Sequence, residues 1–354
     1  MGYQLWERRR RILRIAVDLG YGYIKGIAEN GERIIFPSVV GSGRDLSHVG
    51  LFGANALPEY HVWLKGAEGE ARGNFLVGVL AQREARDLSR PFDDDKIDHP
   101  STRALVATAA YLLTRRLEPG SSIHLATGLP FRHYRSQKER FRDNLADLAL
   151  QVQMNGHGDA RTVAFERVTV FPQAAGAFYS CLLDGEGRVR DLGLLQKGGL
   201  IGIVDVGYKT TDYVVVDLDD GLALRENMSG TVEAGVSTVW RMVQSDLEGL
   251  TGVPINQSEL ERAFRSGALH FRGRDYPVGE MANQAKKLVA RAIMDAVQMS
   301  WGDRAHYLRT VYLAGGGALE MQEYLWAMHH RVEMVPDPQY ANAAGFLAVA
   351  AKVS

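Results

Sequence analysis

Along the chain, short apolar runs alternate with polar breaks, and the stretch Leu200 to Asp217 sets the pattern. Leu200 to Val204 is apolar, Asp205-Val206-Gly207-Tyr208-Lys209-Thr210-Thr211-Asp212 interrupts it, and Tyr213 to Val216 resumes it. Two buried strands joined by a tight polar turn read this way. The arrangement occurs a second time near the start, where Arg11 to Val17 leads into Asp18-Leu19-Gly20-Tyr21-Gly22-Tyr23-Ile24-Lys25 and on to Gly26-Ile27-Ala28.

Between and beyond these hairpins the periodicity predicts further elements. Short strands are expected at Glu32–Gly41, at Asn74–Ala81, at Ile123–Ala126 and at Val168–Phe171. Ser101 is a plausible N-cap for a helix whose apolar face runs from Leu105 to Leu113 and which Pro119-Gly120 stops. Gln137 to Leu150 reads as a charged amphipathic helix, with further helices at Ser237–Leu247 and Met281–Met299. Thr310 to Ala314 is a strand feeding Gly315-Gly316-Gly317, and a Pro-marked loop leads into a small-residue helix around Ala341 to Phe346. That last element is expected to return to the first half, packing closely through its small residues and making a second crossover.

The two aspartates of the hairpins, Asp18 and Asp205, lie 187 residues apart, roughly half the chain. A duplicated βββα unit whose turns face each other across one ligand accounts for that spacing. Gly20, Gly22 and Gly207 let backbone approach a ligand, and Tyr21, Tyr208 and Lys209 fill the turns between them. Thr210 and Thr211 add hydroxyls, and such a turn can cradle phosphate oxygens. An acid at the end of a buried strand is costly unless a cation sits beside it, and Mg²⁺ travelling with a nucleotide would serve. Lys25, which the second copy lacks, supplies a point charge for a β- or γ-phosphate. Either turn alone would read equally well as a plain hairpin.

Three further positions carry candidate chemistry. Gln173 stands where a strand gives way to a small-residue helix; it can align an attacking water or simply bond the backbone at a helix start. The three glycines at 315–317 leave a flat surface for a base or ribose ahead of a helix N-terminus. Gly230 and Gly235 flank Thr231 to Ala234, and Gly235 joins the candidate nucleotide contacts.

Size and composition narrow the picture. The 354 residues suit two domains, and 46% hydrophobic with 23% charged residues is ordinary for a globular protein. A formal charge of −1 gives no reason to expect direct nucleic-acid binding. Cys181, the only cysteine, reads as a buried structural thiol in a reducing cytoplasm. No apolar run reaches the roughly 18 residues of a membrane span. The start, Met1 to Arg11, fails the myristoylation pattern at Trp6 and reads as a solvated basic arm. Asp93-Asp94-Asp95 with Asp98 and His99 reads as a solvated turn rather than a metal loop.

Asp18-x-Gly20-x-Gly22-x-x-Lys25, Gln173-Ala-Ala-Gly176, Asp205-x-Gly207-x-x-Thr210-Thr211-Asp212, Gly315-Gly316-Gly317 and Ala341-Asn342-Ala343-Ala344-Gly345 follow one another in the order of five signatures. The ordered set resembles the phosphate 1, connect 1, phosphate 2, adenosine and connect 2 motifs of the actin, sugar-kinase and heat-shock-chaperone superfamily. Within it the chain looks most like actin-like proteins of the ParM/StbA plasmid-segregation type. Gly20 to Tyr23, Thr127 to Pro130, Gly207 to Tyr213 and Trp301-Gly302-Asp303 favour that branch. Gln173 departs from ParM, which has an acid there, and agrees with actins.

The resemblance implies an α/β fold built from a duplicated βββαβα, ribonuclease H-like unit. Domain I would comprise residues 12–175 and 338–354 with an insert at about 31–98, and domain II residues 176–337 with an insert at about 243–285. It implies an ATPase that closes on Mg-ATP, forms head-to-tail filaments and loosens them on hydrolysis, with ATP or ADP and Mg²⁺ bound. Asp18 and Asp205 would hold the hydrated metal, Lys25 the β- and γ-phosphates, Thr210 and Thr211 the phosphates or metal waters, and Gln173 the attacking water. Contacts that do not close on themselves give filaments. The partners implied are further copies of the chain and a DNA-binding adaptor protein, with no direct nucleic acid and no membrane, in the cytoplasm. A small-molecule kinase would need a carboxylate base and a sugar-shaped cleft, for which no motif stands out. A chaperone-like switch or tethered division protein would need a client domain or anchor after the last helix, and the residues up to Ser354 leave none.

Overall fold

The computed structural model describes residues 12–43, 60–66, 71–90, 99–117, 121–155 and 157–352. The Arg8 to Arg11 arm, the Asp93 to Asp98 cluster and the Pro119-Gly120 helix stop lie outside them. In chain order the first half carries β1 (Ile12–Leu19), β2 (Tyr23–Ala28), β3 (Arg33–Pro37), β4 (Val40–Ser42), β5 (Tyr60–Gly66), β6 (Ala71–Val77), α1 (Val79–Glu84) and α2 (Pro100–Thr114). There follow β7 (Ser122–Leu129), α3 (Phe131–Ala146), β8 (Ala149–Met154), β9 (His157–Ala164), β10 (Arg167–Pro172) and α4 (Gln173–Leu182). The second half carries α5 (Leu192–Lys197), β11 (Leu200–Val206), β12 (Thr211–Asp217), β13 (Ala223–Leu224), β14 (Gly230–Val232), α6 (Val236–Thr251) and α7 (Gln257–Ser266). It ends with β15 (Ala268–Phe271), β16 (Arg274–Pro277), α8 (Gly279–Trp301), β17 (Leu308–Ala314), α9 (Gly316–Leu325), β18 (Val332–Met334) and α10 (Ala341–Lys352).

Two large sheets repeat one topology. The first has the order β10-β7-β1-β2-β3 and the second β13-β12-β11-β17-β18, with β14 also paired to β12. In each, an antiparallel hairpin (β1 with β2, β11 with β12) abuts two parallel strands (β7 and β10, β17 and β18). The hairpin register sets Asp18 opposite Lys25 and Asp205 opposite Asp212. This is the duplicated unit that the spacing of the two turns predicts. Covered on both faces, β11 and β12 are buried along almost their whole length.

Two helices fill the space between the sheets. α10 lays Ala343, Phe346, Leu347 and Ala350 against Ala16, Ile27 and Ala126 of the first sheet. α4 lays Ala174, Ala177 and Phe178 against Ile201, Ile203, Val214 and Val216 of the second. The helices cross backbone on backbone: a methyl on Gly345 would overlap the Gly176 carbonyl, and one on Gly176 would come within 2.6 Å of Phe346. Small residues are required where main chains approach this closely.

Two local expectations are corrected. The strand predicted over Asn74–Ala81 ends at Val77, because Gly78 turns with φ 66° and starts α1. The helix predicted at Gln137–Leu150 begins six residues earlier, after Pro130, and ends at Ala146; Ala149 and Leu150 open β8. β8 and β9 then join β4, β6 and β5 in a separate sheet of order β4-β6-β5-β8-β9, so residues 149–164 pack with the small sheet. A hairpin, β15 with β16, projects from the second half between α7 and α8.

Candidate functional site

The ends of β1 and β11 and the turns that follow them open onto one cavity of about 780 Å³ between the two halves. Asp18, Gly20, Tyr21, Gly22 and Lys25 line it from the first hairpin, and Asp205, Gly207, Tyr208, Thr210 and Asp212 from the second. The turns touch: a methyl on Gly22 would come within 2.7 Å of Tyr208 Cβ. Gly20 and Gly207 are constrained by their own turns, where a methyl would press on the Tyr23 and Thr210 carbonyl oxygens at 2.7 and 2.9 Å.

Both acids are almost inaccessible and both are held. Lys25 Nζ lies 3.4 Å from Asp18 Oδ2, and Gln173 Nε2 donates to Asp18 Oδ1 at 3.0 Å. Asn342 Nδ2 donates to Asp205 Oδ2 at 2.6 Å, and Asn342 Oδ1 accepts from the Ala177 backbone N–H at 3.1 Å. Burial, and next the negative charge of Asp18, push the Asp205 carboxyl up to about 6, while Lys25 and the Asn342 amide pull the other way. Two carboxylates facing one ammonium leave a net negative charge when both are ionised, so an added cation would be favoured.

The donor set tells which cation fits. Among the described residues no cluster of three or more His, Cys, Asp or Glu side chains could cage a metal. Two carboxylate groups beside neutral amides suit a hard ion that keeps its waters and arrives with a phosphate, the habit of Mg²⁺ rather than of Zn²⁺.

Away from the acids the cavity changes character. Trp240 stacks on Phe264 with ring centroids 4.7 Å apart and planes at 13°, and both line the wall with Val79, Val236 and Leu319. Gly316 and Gly317 form another wall, and a methyl on Gly316 would meet nothing within 4 Å. Burial raises the Glu320 carboxyl above its usual range, opposed by Lys286 at 3.9 Å. At the mouth, Gln82 of α1 donates to Glu261 of α7 at 3.3 Å, joining the two halves across the cleft.

Of the residues singled out in the sequence, Asp18, Gly20, Tyr21, Gly22, Lys25, Gln173, Asp205, Gly207, Tyr208, Thr210, Gly316 and Gly317 are brought together on the cavity. Four others stand behind it. Thr211 is fully buried and its hydroxyl donates to the Ala234 carbonyl at 2.8 Å, which corrects its expected place on the phosphates. Lys209 Nζ sits over the Tyr21 ring, 5.1 Å from its centroid. Gly235 backs the second turn, where a methyl would strike the Gly207 and Tyr208 carbonyls, and Gly315, at φ 86°, backs Asp205. Trp301, of the Trp301-Gly302-Asp303 motif, is a core residue whose indole N–H donates to the Met228 carbonyl at 3.0 Å.

Asn342 stands in the Ala341 to Gly345 motif but has no role assigned from the sequence, and Glu320 and the Trp240–Phe264 pair were missed. Asn342 had a signal: it is the one polar side chain in the run Ala341 to Phe346. Trp240 and Phe264 had none, since their helical spacing reads as core.

Comparison with known proteins agrees with this fold. Residues 16–176 match the model of the N-terminal domain of actin-like proteins, and residues 203–327 that of the C-terminal domain of the archaeal MreB-like actin homologue. An archaeal actin homologue of Thermoplasma volcanium is 23% identical over 343 residues, which are 94% of this chain and 97% of that protein. The ParM of a 15-stranded filament from Clostridium botulinum superposes with a TM-score of 0.81 at 28% identity, over 97% of this chain and all of the other. An archaeal actin homologue in complex with ADP shares the fold, with a TM-score of 0.74 at 20% identity over 96% of this chain and 99% of the other. Matched in both halves, and over nearly its full length by solved relatives, the chain belongs to the actin-like proteins.

Proposed function

We propose that the chain binds Mg-ATP in this cavity, hydrolyses it to ADP and phosphate, and assembles head to tail into filaments that the hydrolysis destabilises. The observation that carries the reading is the meeting of Asp18 and Asp205, one from each repeat, over Lys25 and Gln173. In this reading the turn amides at Gly20 to Gly22 and Gly207 to Tyr208 receive the phosphates, with the Thr210 hydroxyl beside them. Lys25 would set its charge against the β- and γ-phosphates, and Asp18 and Asp205 would hold a hydrated Mg²⁺. Mg²⁺ would offset phosphate charge as the terminal bond breaks. Gln173, oriented by its bond to Asp18, turns its amide carbonyl toward a water for in-line attack. The wall of Trp240, Gly316 and Gly317 receives the base and ribose.

The two-domain division, with the cavity between its parts, belongs to the same proposal, as do a cytoplasmic location and a role in DNA segregation through an adaptor. The ParM filament at 28% identity supports self-assembly, and the ADP complex of a protein of this fold is in keeping with a nucleotide in the cleft. Among the described residues no helix is long and apolar enough to cross a membrane.

ATP-dependent light scattering followed by pelleting and electron microscopy tests the proposal. Polymer that appears with ATP and decays as phosphate is released is expected. Turnover without any polymer would favour a kinase or chaperone-like switch instead.

A further inference from the structure

Both acids of the cavity are tied to one helix. Gln173, the first residue of α4, donates its side-chain amide to Asp18. One turn later, the Ala177 N–H of the same helix donates to Asn342, whose own amide donates to Asp205. Asn342 is 7% exposed and spends both ends of its side chain in this way. The Asp205 carboxylate is confined on its other side as well, since a methyl on Gly315 would overlap Oδ1.

We propose that Asn342 is a positioning residue for Asp205, and that through it the carboxylates of the two repeats are set in register by a single turn of α4. The inference rests on the nucleotide reading of the cavity. Asp18 and Asp205 lie one residue before the ends of β1 and β11, strands of different sheets, so nothing in either sheet alone fixes their separation. A cation shared between them needs that separation held. An amide suits the task better than a cation would, because it orients the carboxylate by a charge-assisted hydrogen bond without cancelling the charge. The same bond joins the ion site to the α4–α10 crossing, where the halves pack against each other. Asn342 touches neither phosphate nor attacking water in this account; it acts through Asp205.

The test is a double-mutant cycle on metal-dependent ADP binding, with Asn342→Leu, Asp205→Asn and their combination. For each protein the dissociation constant of ADP is measured by calorimetry with excess Mg²⁺ and again with EDTA. Asn342→Leu keeps the shape of the side chain and is expected to lose about tenfold of the Mg²⁺-dependent gain, the effect of deleting one hydrogen bond to a charged group. Binding in EDTA is expected to stay within about twofold, and the substitution is expected to cost nothing further once Asp205 is already Asn, since a residue acting through another shows full coupling to it. A loss that adds in full to that of Asp205→Asn, or an unchanged Mg²⁺ gain, would overturn the inference. A thermal melt reports whether the leucine variant is folded; if it is not, Asn342→Ala is read by the same criteria. Wild-type protein that binds no ADP under either condition would sink the nucleotide reading itself, an outcome distinct from intact Mg²⁺-dependent binding that ignores Asn342.

Discussion

The carboxyl of Asp205 is held up to about 6 by burial and by the charge of Asp18, a residue 187 positions earlier on the other hairpin. Removing that charge conflict should separate stability from function. Asp205→Asn is expected to raise thermal stability at pH 8, by on the order of 2–3 kcal/mol, because about two units of pKa elevation correspond to that cost of keeping the group ionised. The same variant should lose Mg²⁺-dependent nucleotide binding by at least about tenfold. Urea denaturation and calorimetric titration read the two effects, and a variant less stable than wild type would contradict the first.

Acid titration should uncover two opposed groups. A folded-state pKa raised above the unfolded one means that Asp205 binds its proton more readily in the native protein, so its contribution to stability falls as pH rises from about 4 to about 6. His124 behaves in the reverse sense. It is 2% exposed, bonded to Thr169 Oγ1 at 2.8 Å, and burial lowers it to about 4, so stability is lost as pH falls from 6.5 toward 4. Denaturant midpoints of the wild type should therefore vary little in this window on account of these two groups. Asp205→Asn should unmask the histidine, giving a midpoint that drops steeply on acidification.

Gln173→Ala should divide binding from turnover. Its amide is held by Asp18 rather than placed on the phosphates, so ATP affinity is expected within about threefold of wild type while phosphate release slows by roughly 10- to 100-fold. Filaments formed with ATP should persist correspondingly longer. Equal loss of binding and turnover would assign the residue a structural part only.

Gly345→Ala should be among the most damaging single methyl additions in the molecule. Its new Cβ would overlap the Gly176 carbonyl, main chain that no rotamer change can clear, and the cost is expected at about 3 kcal/mol or more. Gly316→Ala, where a methyl meets nothing, is the matched control: stability should hold, and any loss should appear in nucleotide binding.

Cys181 should resist thiol reagents. Burial pushes the thiol up to about 12, so reaction with a disulfide probe at pH 8 is expected to be at least tenfold slower in the native protein than in denaturant, about the least that a thiolate population this small allows.

The repeated hairpins and their acids were legible because strand, polar turn and strand make a pattern that local sequence carries whole. Asp18 and Asp205 sit near strand ends, Gln173 at a helix start, and Lys25 within β2 opposite Asp18, places where side-chain direction follows from the element. Thr211 was not legible for a related reason. Successive residues of a strand face opposite ways, and β12 begins at Thr211, so Thr210 faces the cavity while its neighbour faces Ala234. That parity is set by where the strand begins, which the sequence does not announce. β8 escaped although Leu150, Val152 and Met154 alternate with Gln151 and Gln153 as in a strand, because the expected helix runs on to Leu150, and β9 escaped because an edge strand carrying Asp159, Arg161 and Thr162 has few apolar positions. Asn342 escaped because its partners come from residues 177 and 205, far from it in the chain.

The meeting of Gly176 and Gly345 has a mechanical corollary. A bearing surface made of bare peptide has no rotamers to reset when one helix swivels on the other, so a turn there needs little repacking. Resistance to any such swivel would come instead from the ring of Phe346, which stacks 5.6 Å from Phe171 beside the crossing.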